Sequence, residues 1–138
     1  MSANVEQAVP FFMVNDMQAS LRFYLDGLGF TKTEEWVQDG KVRWCWLVHG
    51  SASMMLQEFS RSGPPARVPR DKLGVGVSIC FLCKDAPALY HEFTARGVKA
   101  KRPFVGNKMW VTQLEDPDGY RIDFESPTDA PEESELPD

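Results

Sequence analysis

The chain has 138 residues, 43% of them hydrophobic, which is enough for one buried core, and its three cysteines do not predict a disulfide scaffold. The 20 acids exceed the 15 bases by the five acids of the segment 129–138, so residues 1–128 are neutral. A neutral body lacks the concentrated basic surface of nucleic-acid-binding proteins, and no apolar run approaches the roughly 20 residues of a membrane-spanning helix, so we expect neither partner.

The first half of the chain predicts a strand, a helix and three further strands. Residues 9–14 are a short apolar run typical of a buried strand, and Asp16 follows in the position of a helix N-cap. Apolar residues at helical spacing then continue until Gly29, which ends the helix. Alternating patterns with turn signals between them predict strands over 30–36, 42–48 and 52–59.

The second half repeats this order. Residues 78–83 predict another buried strand, Asp85 a second N-cap, and Gly97 the end of a second helix. Alternation predicts three more strands, over 98–104, 109–114 and 120–125. The chain is therefore predicted to be α+β, with two βαβββ modules in one compact body and a site between them.

The domain boundaries follow from this repeat. Module one covers 7–59, a connector covers 60–73, and module two covers 74–126, all within a single domain of residues 1–128. The proline-rich, basic connector predicts a linker, with a lid over the site as the alternative. The acidic tail, 129–138, is predicted to be disordered. The N-terminus has no signal-peptide pattern, so we expect a cytoplasmic protein.

Two motifs, together with the paired modules, resemble the vicinal oxygen chelate superfamily. They are NDMQASLRFYLDGLGF at 15–30 and DPDGYRIDFESP at 116–127. The superfamily contains glyoxalase I, extradiol dioxygenases, fosfomycin-modifying enzymes and the bleomycin resistance proteins. The resemblance implies mixed sheets that curl into a U-shaped cleft, the glyoxalase/bleomycin resistance fold, and assembly as a homodimer. The resemblance does not define one function, because proteins with this fold include enzymes of several kinds and proteins that only bind ligands.

Enzymes of this superfamily hold a divalent metal with four His, Gln or Glu side chains, one from the first and one from the last strand of each module. The resemblance places these positions at Val9, Met55, Ser78 and Asp123. Gln57 is the alternative to Met55, because the register of that strand is open. At most two positions can bind a metal, and neither His49 nor His91 is among them. We therefore predict no metal and no other cofactor.

Other catalytic signals are weak. Cys80 and Cys83 form a C-x-x-C motif, but residues three apart in a strand point to opposite faces and cannot chelate one ion. Gly74 and Gly76 lack the third glycine and the following helix of a dinucleotide site. We assign no catalytic residue.

The chain offers the predicted cleft an apolar and aromatic surface. Phe11 and Met13 share one face of the first strand, and Trp44 and Trp46 share one face of the third, where core or dimer-interface positions are equally consistent with the pattern. Indole rings stack on flat or cationic ligands. The predicted ligand-binding residues are Phe11, Met13, Trp44, Trp46, Gln57, Ser78, Trp110 and Asp123.

The favoured hypothesis is a metal-free protein that sequesters an aromatic or cationic small molecule, as its resemblance to the bleomycin resistance proteins implies. Asp123, Glu58 and Glu125 are the candidate charge partners for such a ligand. The alternative is a metal-dependent lyase, isomerase or dioxygenase that uses Gln57 and Asp123, and a third possibility is a protein-interaction domain with a filled cleft. The number of metal ligands distinguishes the first two, and the protein is expected to be a binder rather than an enzyme.

Overall fold

The structure, a computed structural model, describes residues 3–60 and 71–137. Its first sheet has the order β1-β4-β3-β2, with β1 parallel to β4 and the other neighbours antiparallel. The strands are β1 (Phe11–Val14), β2 (Thr31–Gln38), β3 (Lys41–His49) and β4 (Ala52–Glu58). Most of the predicted connector lies outside the described residues.

The second sheet repeats this topology in the order β5-β8-β7-β6, again with one parallel pair, β5 and β8. Its strands are β5 (Ser78–Leu82), β6 (Phe104–Gly106), β7 (Met109–Glu115) and β8 (Arg121–Pro127). Two four-stranded mixed sheets, each following the βαβββ order, confirm the predicted α+β architecture of two modules.

Each helix begins at the predicted aspartate. Asp16 accepts hydrogen bonds from the backbone N–H groups of Gln18 and Ala19, at 3.0 and 3.2 Å, and so caps α1 (Met17–Leu21). Asp85 accepts from Ala88 at 3.0 Å and caps α2 (Ala86–Ala95). These side chains satisfy N–H groups that have no partner inside the helix.

The first helix does not continue as a regular α-helix. After α1, residues Arg22–Gly27 form a π-helical turn, in which Leu28 donates its N–H to the carbonyl of Phe23 at 2.9 Å. A Cβ atom at Gly27 would lie 2.7 Å from Cγ2 of Val98, so the absence of a side chain permits this turn to approach the second module. The hydrophobic periodicity of the sequence predicted a helix here, but it did not predict that the last turn of this helix would be π-helical.

One segment of the second module and the acidic tail differ from the predictions. In place of the strand expected over 98–104, β6 covers Phe104–Gly106 and begins directly after Pro103, which has no N–H for a sheet ladder. The acidic tail, predicted to be disordered, is hydrogen-bonded along β6: Val105 donates its N–H to the Ser134 carbonyl at 2.9 Å. Its Glu132 carboxylate also accepts the N–H groups at positions 107 and 108, both at 3.0 Å.

The two modules pack through the sides of their sheets that carry the helices. Phe12 stacks on Tyr120 with ring centroids 4.1 Å apart, and Phe30 contacts Phe81 edge-on at 5.7 Å. The hydroxyl of Tyr24 donates to the Asp116 carboxylate at 2.8 Å, and both residues are buried. These residues of both modules lie in or beside one continuous hydrophobic core.

Asp116 is a buried acid at this contact between the modules. Its carboxylate also accepts the backbone N–H groups of Asp118 and Tyr120, both at 2.9 Å. Burial raises the pKa of Asp116 to about 6, although these hydrogen bonds act in the opposite direction. The folded protein therefore favours the protonated carboxyl more than the unfolded chain does.

We predict that Asp116→Asn removes one pH-dependent part of the stability. Because the folded pKa lies above the unfolded value of about 4, the contribution of the acid is fully present below pH 4 and is lost as the pH rises to about 6. The free energy of unfolding of the wild type should fall relative to the variant over this interval, by no more than about 3 kcal/mol. Urea unfolding across this pH range measures the difference, and parallel curves would contradict the assignment.

Candidate functional site

Among the described residues, each sheet has one face that carries no helix, which we call its open face. On β1, Phe12 and Val14 are buried on the helix side, while Phe11 is 47% exposed on the open face. On β5, Phe81 is buried and its neighbour Leu82 is 77% exposed. Since the modules pack through their helix sides, the open faces point away from the contact between them.

The open face of the first sheet is an aromatic wall, defined by two rows of side chains that cross the four strands. The register aligns Trp36, Trp44, Gln57 and Met13 in one row, and Glu34, Trp46, Met55 and Phe11 in the next. Cys45 and Leu47 are buried on the other side of β3. Trp44 and Trp46 therefore share a face with Phe11 and Met13, which the sequence had left open.

Trp36 is a residue of this wall that was not predicted from the sequence. A regular hairpin around Asp39 and Gly40 would pair position 36 with position 43, but a register shift between Trp36 and Val37 pairs Trp36 with Trp44. Trp36 is 51% exposed. The turn signal was visible in the sequence, whereas the irregularity that brings the two indoles together was not.

The open face of the second sheet is a polar wall. Ser78, Cys80 and Leu82 on β5 pair with Arg121, Asp123 and Glu125 on β8, and Gln113 on β7 continues the middle row. Asp123 is 5% exposed, and its carboxylate lies 3.3 Å from the Arg121 guanidinium. The Cys80 thiol donates to Glu125 at 2.6 Å. Of the predicted site residues, this face brings together Ser78 and Asp123.

Two predicted contributors lie on the helix side instead. Trp110 pairs with Ser126, whose hydroxyl accepts the N–H of Ala86 at the start of α2 at 2.8 Å. Trp110 therefore belongs to the face that packs against α2. The prediction that Trp110 forms part of the ligand surface is wrong, because that surface lies on the other face of the sheet. Glu58 pairs with Val14, and its carboxylate accepts the N–H of Met17, the first residue of α1, at 3.0 Å. Glu58 therefore also lies on the helix side.

The four metal-ligand positions do not fit a metal. In the described part of the chain, no three His, Cys, Asp or Glu side chains come together as a metal site requires. Val9 precedes β1, Met55 and Ser78 have no usual ligand atom, and Asp123 is paired with Arg121. We derive no chemistry through a metal from this donor set.

The Cys80 thiol is held in its protonated form. Partial burial raises its pKa to about 12, with the hydrogen bond to Glu125 and the charges of Glu125 and Asp123 acting in the same direction. Because the thiolate is the nucleophilic form of cysteine, Cys80 is a polar contact on this wall rather than an activated nucleophile.

The paired βαβββ modules agree with the comparisons with known proteins. The model of the Glyoxalase/Bleomycin resistance protein/Dioxygenase superfamily matches residues 6–124, and the chain belongs to this superfamily. Among curated proteins, none matches the chain in sequence. No helix of residues 3–60 and 71–137 has the length and apolarity to cross a membrane.

Solved structures share the fold at low sequence identity. SMU.1112c matches with a TM-score of 0.71 and 16% identity, over 90% of this chain and 100% of that one. TnmS3, an antibiotic binding protein from Streptomyces sp. CB03234, matches with a TM-score of 0.67 and 21% identity, over 92% and 100%. A glyoxalase/bleomycin resistance protein from the same source has a TM-score of 0.66 and 20% identity, over 88% and 100%.

We predict that Glu125→Gln makes Cys80 more reactive toward iodoacetamide at neutral pH. The substitution removes the negative charge beside the thiol, and each unit by which the pKa falls raises the thiolate fraction about tenfold. Mass spectrometry of the peptide that contains Cys80 measures the alkylation rate. Glu92→Gln on α2, whose carboxylate pairs with Arg96, is the matched control. Equal rates in both variants would show that Glu125 does not hold the proton on the thiol.

Proposed function

We propose that this protein binds an aromatic or cationic small molecule on the aromatic wall and sequesters it without metal-dependent chemistry. The observation that carries the proposal is the alignment of Trp36, Trp44 and Trp46 on one open face, beside Phe11 and Met13. A fold relative, TnmS3, is an antibiotic binding protein, which is consistent with this role.

The aromatic wall supplies the affinity in this proposal. Each indole offers a large, rigid apolar surface, and a flat ligand that covers it removes that surface from water at roughly 25 cal/mol per Å². The ring faces also attract cations through their quadrupoles. A row of such rings favours ligands that are flat, extended or positively charged.

The polar wall supplies orientation and charge. Asp123 is buried beside Arg121, and no cationic side chain of the described residues forms an ion pair with Glu125. In a groove from which water is excluded, a carboxylate interacts with a ligand cation more strongly than it does in bulk water. Ser78 and Gln113 add hydrogen-bonding groups on the same face.

The two walls meet when two copies of the chain form a homodimer, which is the second part of the proposal. β1 and β5 are edge strands of their sheets, and each presents an exposed apolar side chain on its open face, Phe11 and Leu82. Unpaired apolar edges favour pairing with another chain. If β1 of one copy lies beside β5 of the other, each cleft has an aromatic wall from one protomer and a polar wall from its partner.

We predict that Trp46→Ala lowers the affinity for flat aromatic compounds at least about tenfold, because it removes the indole at the centre of the aromatic wall. Trp110→Ala, in which the lost indole lies on the helix side, should change the affinity less than about twofold. Calorimetric titration with the tightest-binding compound of a panel of neutral, cationic and anionic aromatics measures both. Similar losses in the two variants, or no binding of any compound by the wild type, would overturn the proposal.

We predict that Leu82→Glu shifts the protein from dimer to monomer. A charge on the edge of β5 would have to be desolvated against an apolar partner strand, which is unfavourable by several kcal/mol. Val37→Glu is the control, since Val37 is 47% exposed on β2, at the opposite edge of the first sheet. Sedimentation velocity gives the oligomeric state of each variant. A monomeric wild type, or a Leu82→Glu variant that remains dimeric, would contradict the assembly.

A further inference from the structure

A cavity of about 560 Å³ lies at one end of the polar wall, where β7 ends and β8 begins. Gln113 and Arg121, which stand on the open face of these strands, form part of its lining, so the cavity is continuous with the polar wall. Its other side is formed by the segment 99–101, which follows α2. The lining residues that the inference uses are Lys99, Lys101, Gln113, Glu115, Asp116 and Arg121.

Two lysines line this cavity because the segment that contains them runs beside β7. The backbone N–H of Lys101 donates to the carbonyl of Gln113 at 2.9 Å, which holds the segment along the strand, and Lys99 lies two residues before it. The Lys101 ammonium also lies 5.0 Å from the centroid of the Phe104 ring, an attractive contact that restricts the position of the charge. The segment therefore brings two positive charges to the end of the polar wall.

Arg121 adds an accessible guanidinium with one uncommitted nitrogen. Its Nε and Nη2 atoms donate to the Asp123 carboxylate at 3.4 and 3.3 Å, and the side-chain oxygen of Gln113 accepts from Nε at 3.0 Å. Among the described residues, none accepts a hydrogen bond from Nη1. The Arg121 side chain is 48% exposed, so the oxygen of a ligand can reach this nitrogen.

The two acids of the lining are already committed to other groups. The Glu115 carboxylate pairs with Lys72. Asp116 is 5% exposed, and its carboxylate accepts hydrogen bonds from the Tyr24 hydroxyl and from two backbone N–H groups. In the part of the chain that the structure describes, no acid forms an ion pair with either lysine of the cavity. The cavity therefore has an excess of positive charge and of hydrogen-bond donors.

This donor set favours an oxyanion with two negative charges. Ammonium groups act as point charges, and a guanidinium nitrogen adds directed N–H donors, a combination typical of phosphate sites. Because the side-chain oxygen of Gln113 is bonded to Arg121, the NH₂ group of Gln113 is left as a further donor. A carboxylate, with a single charge, would leave one of the two lysines uncompensated.

We propose that this cavity binds a phosphate group, with its oxygens at the ammonium groups of Lys99 and Lys101 and at Nη1 of Arg121. The inference goes beyond the proposed function, because it adds an anion site at one end of the polar wall. The same chemistry fits inorganic phosphate and the phosphate of an aromatic ester whose ring lies on the aromatic wall.

The test is calorimetric titration at low ionic strength with inorganic phosphate, 1-naphthyl phosphate and 1-naphthol. Lys99→Gln combined with Lys101→Gln removes two positive charges and should weaken both phosphate probes about tenfold or more, while 1-naphthol changes less than about twofold. The matched control is Lys41→Gln combined with Lys84→Gln, which replaces two exposed lysines outside the cavity and should change each affinity less than about twofold. Circular dichroism confirms that each variant is folded.

Trp46→Ala distinguishes the two sources of the phosphate group. If an aromatic ligand carries it, naphthyl phosphate binds the wild type more tightly than inorganic phosphate does, and Trp46→Ala removes this difference. If the phosphate is free, the two phosphate probes bind alike and Trp46→Ala changes neither. Absence of saturable binding of both phosphate probes, or equal losses in the two double variants, would overturn the inference. Either result leaves the proposed function in place, since that function does not use these lysines.

Discussion

The packing of the two modules through their helix sides is the constraint on which the rest of the molecule depends. The Tyr24–Asp116 hydrogen bond and the stacked rings of Phe12 and Tyr120 join the two modules on the helix side of each sheet. In the part of the chain that the structure describes, the other side of each sheet carries no helix, and the aromatic and polar residues of the candidate site lie on it. The position of the candidate site therefore follows from where the core is, rather than from a separate structural element.

The elements that could be predicted from the sequence are those set by local physical chemistry. The N-caps Asp16 and Asp85, the apolar runs before them and most strand positions follow from capping and side-chain alternation, and the repeat itself indicated two modules. Strand faces followed as well where alternation is regular, as for Phe11 and Met13 on β1. These features depend on near neighbours in the chain, so a single sequence contains them.

The features that could not be predicted depend on pairing between distant residues. The alignment of Trp36 with Trp44 requires one extra residue on β3, and the helix-side position of Trp110 depends on its pairing with Ser126. The ordered conformation of the acidic tail depends on backbone hydrogen bonds to β6, and the amino-acid composition of the tail does not predict these bonds. The candidate site was thus predicted in general character, as an aromatic surface, but Trp36 was not recognised as part of it.

The acidic tail has a consequence for how this chain can assemble. By pairing with β6 and placing Glu132 on the β6–β7 hairpin, it covers the outer edge of the second sheet, which leaves β5 as the uncovered edge of that sheet among the described strands. A sheet with two uncovered edges can add copies at both sides and grow into a fibre, whereas a sheet with one can add a single neighbour. The tail therefore takes up backbone groups of β6 that a strand of another copy would need in order to add at that edge.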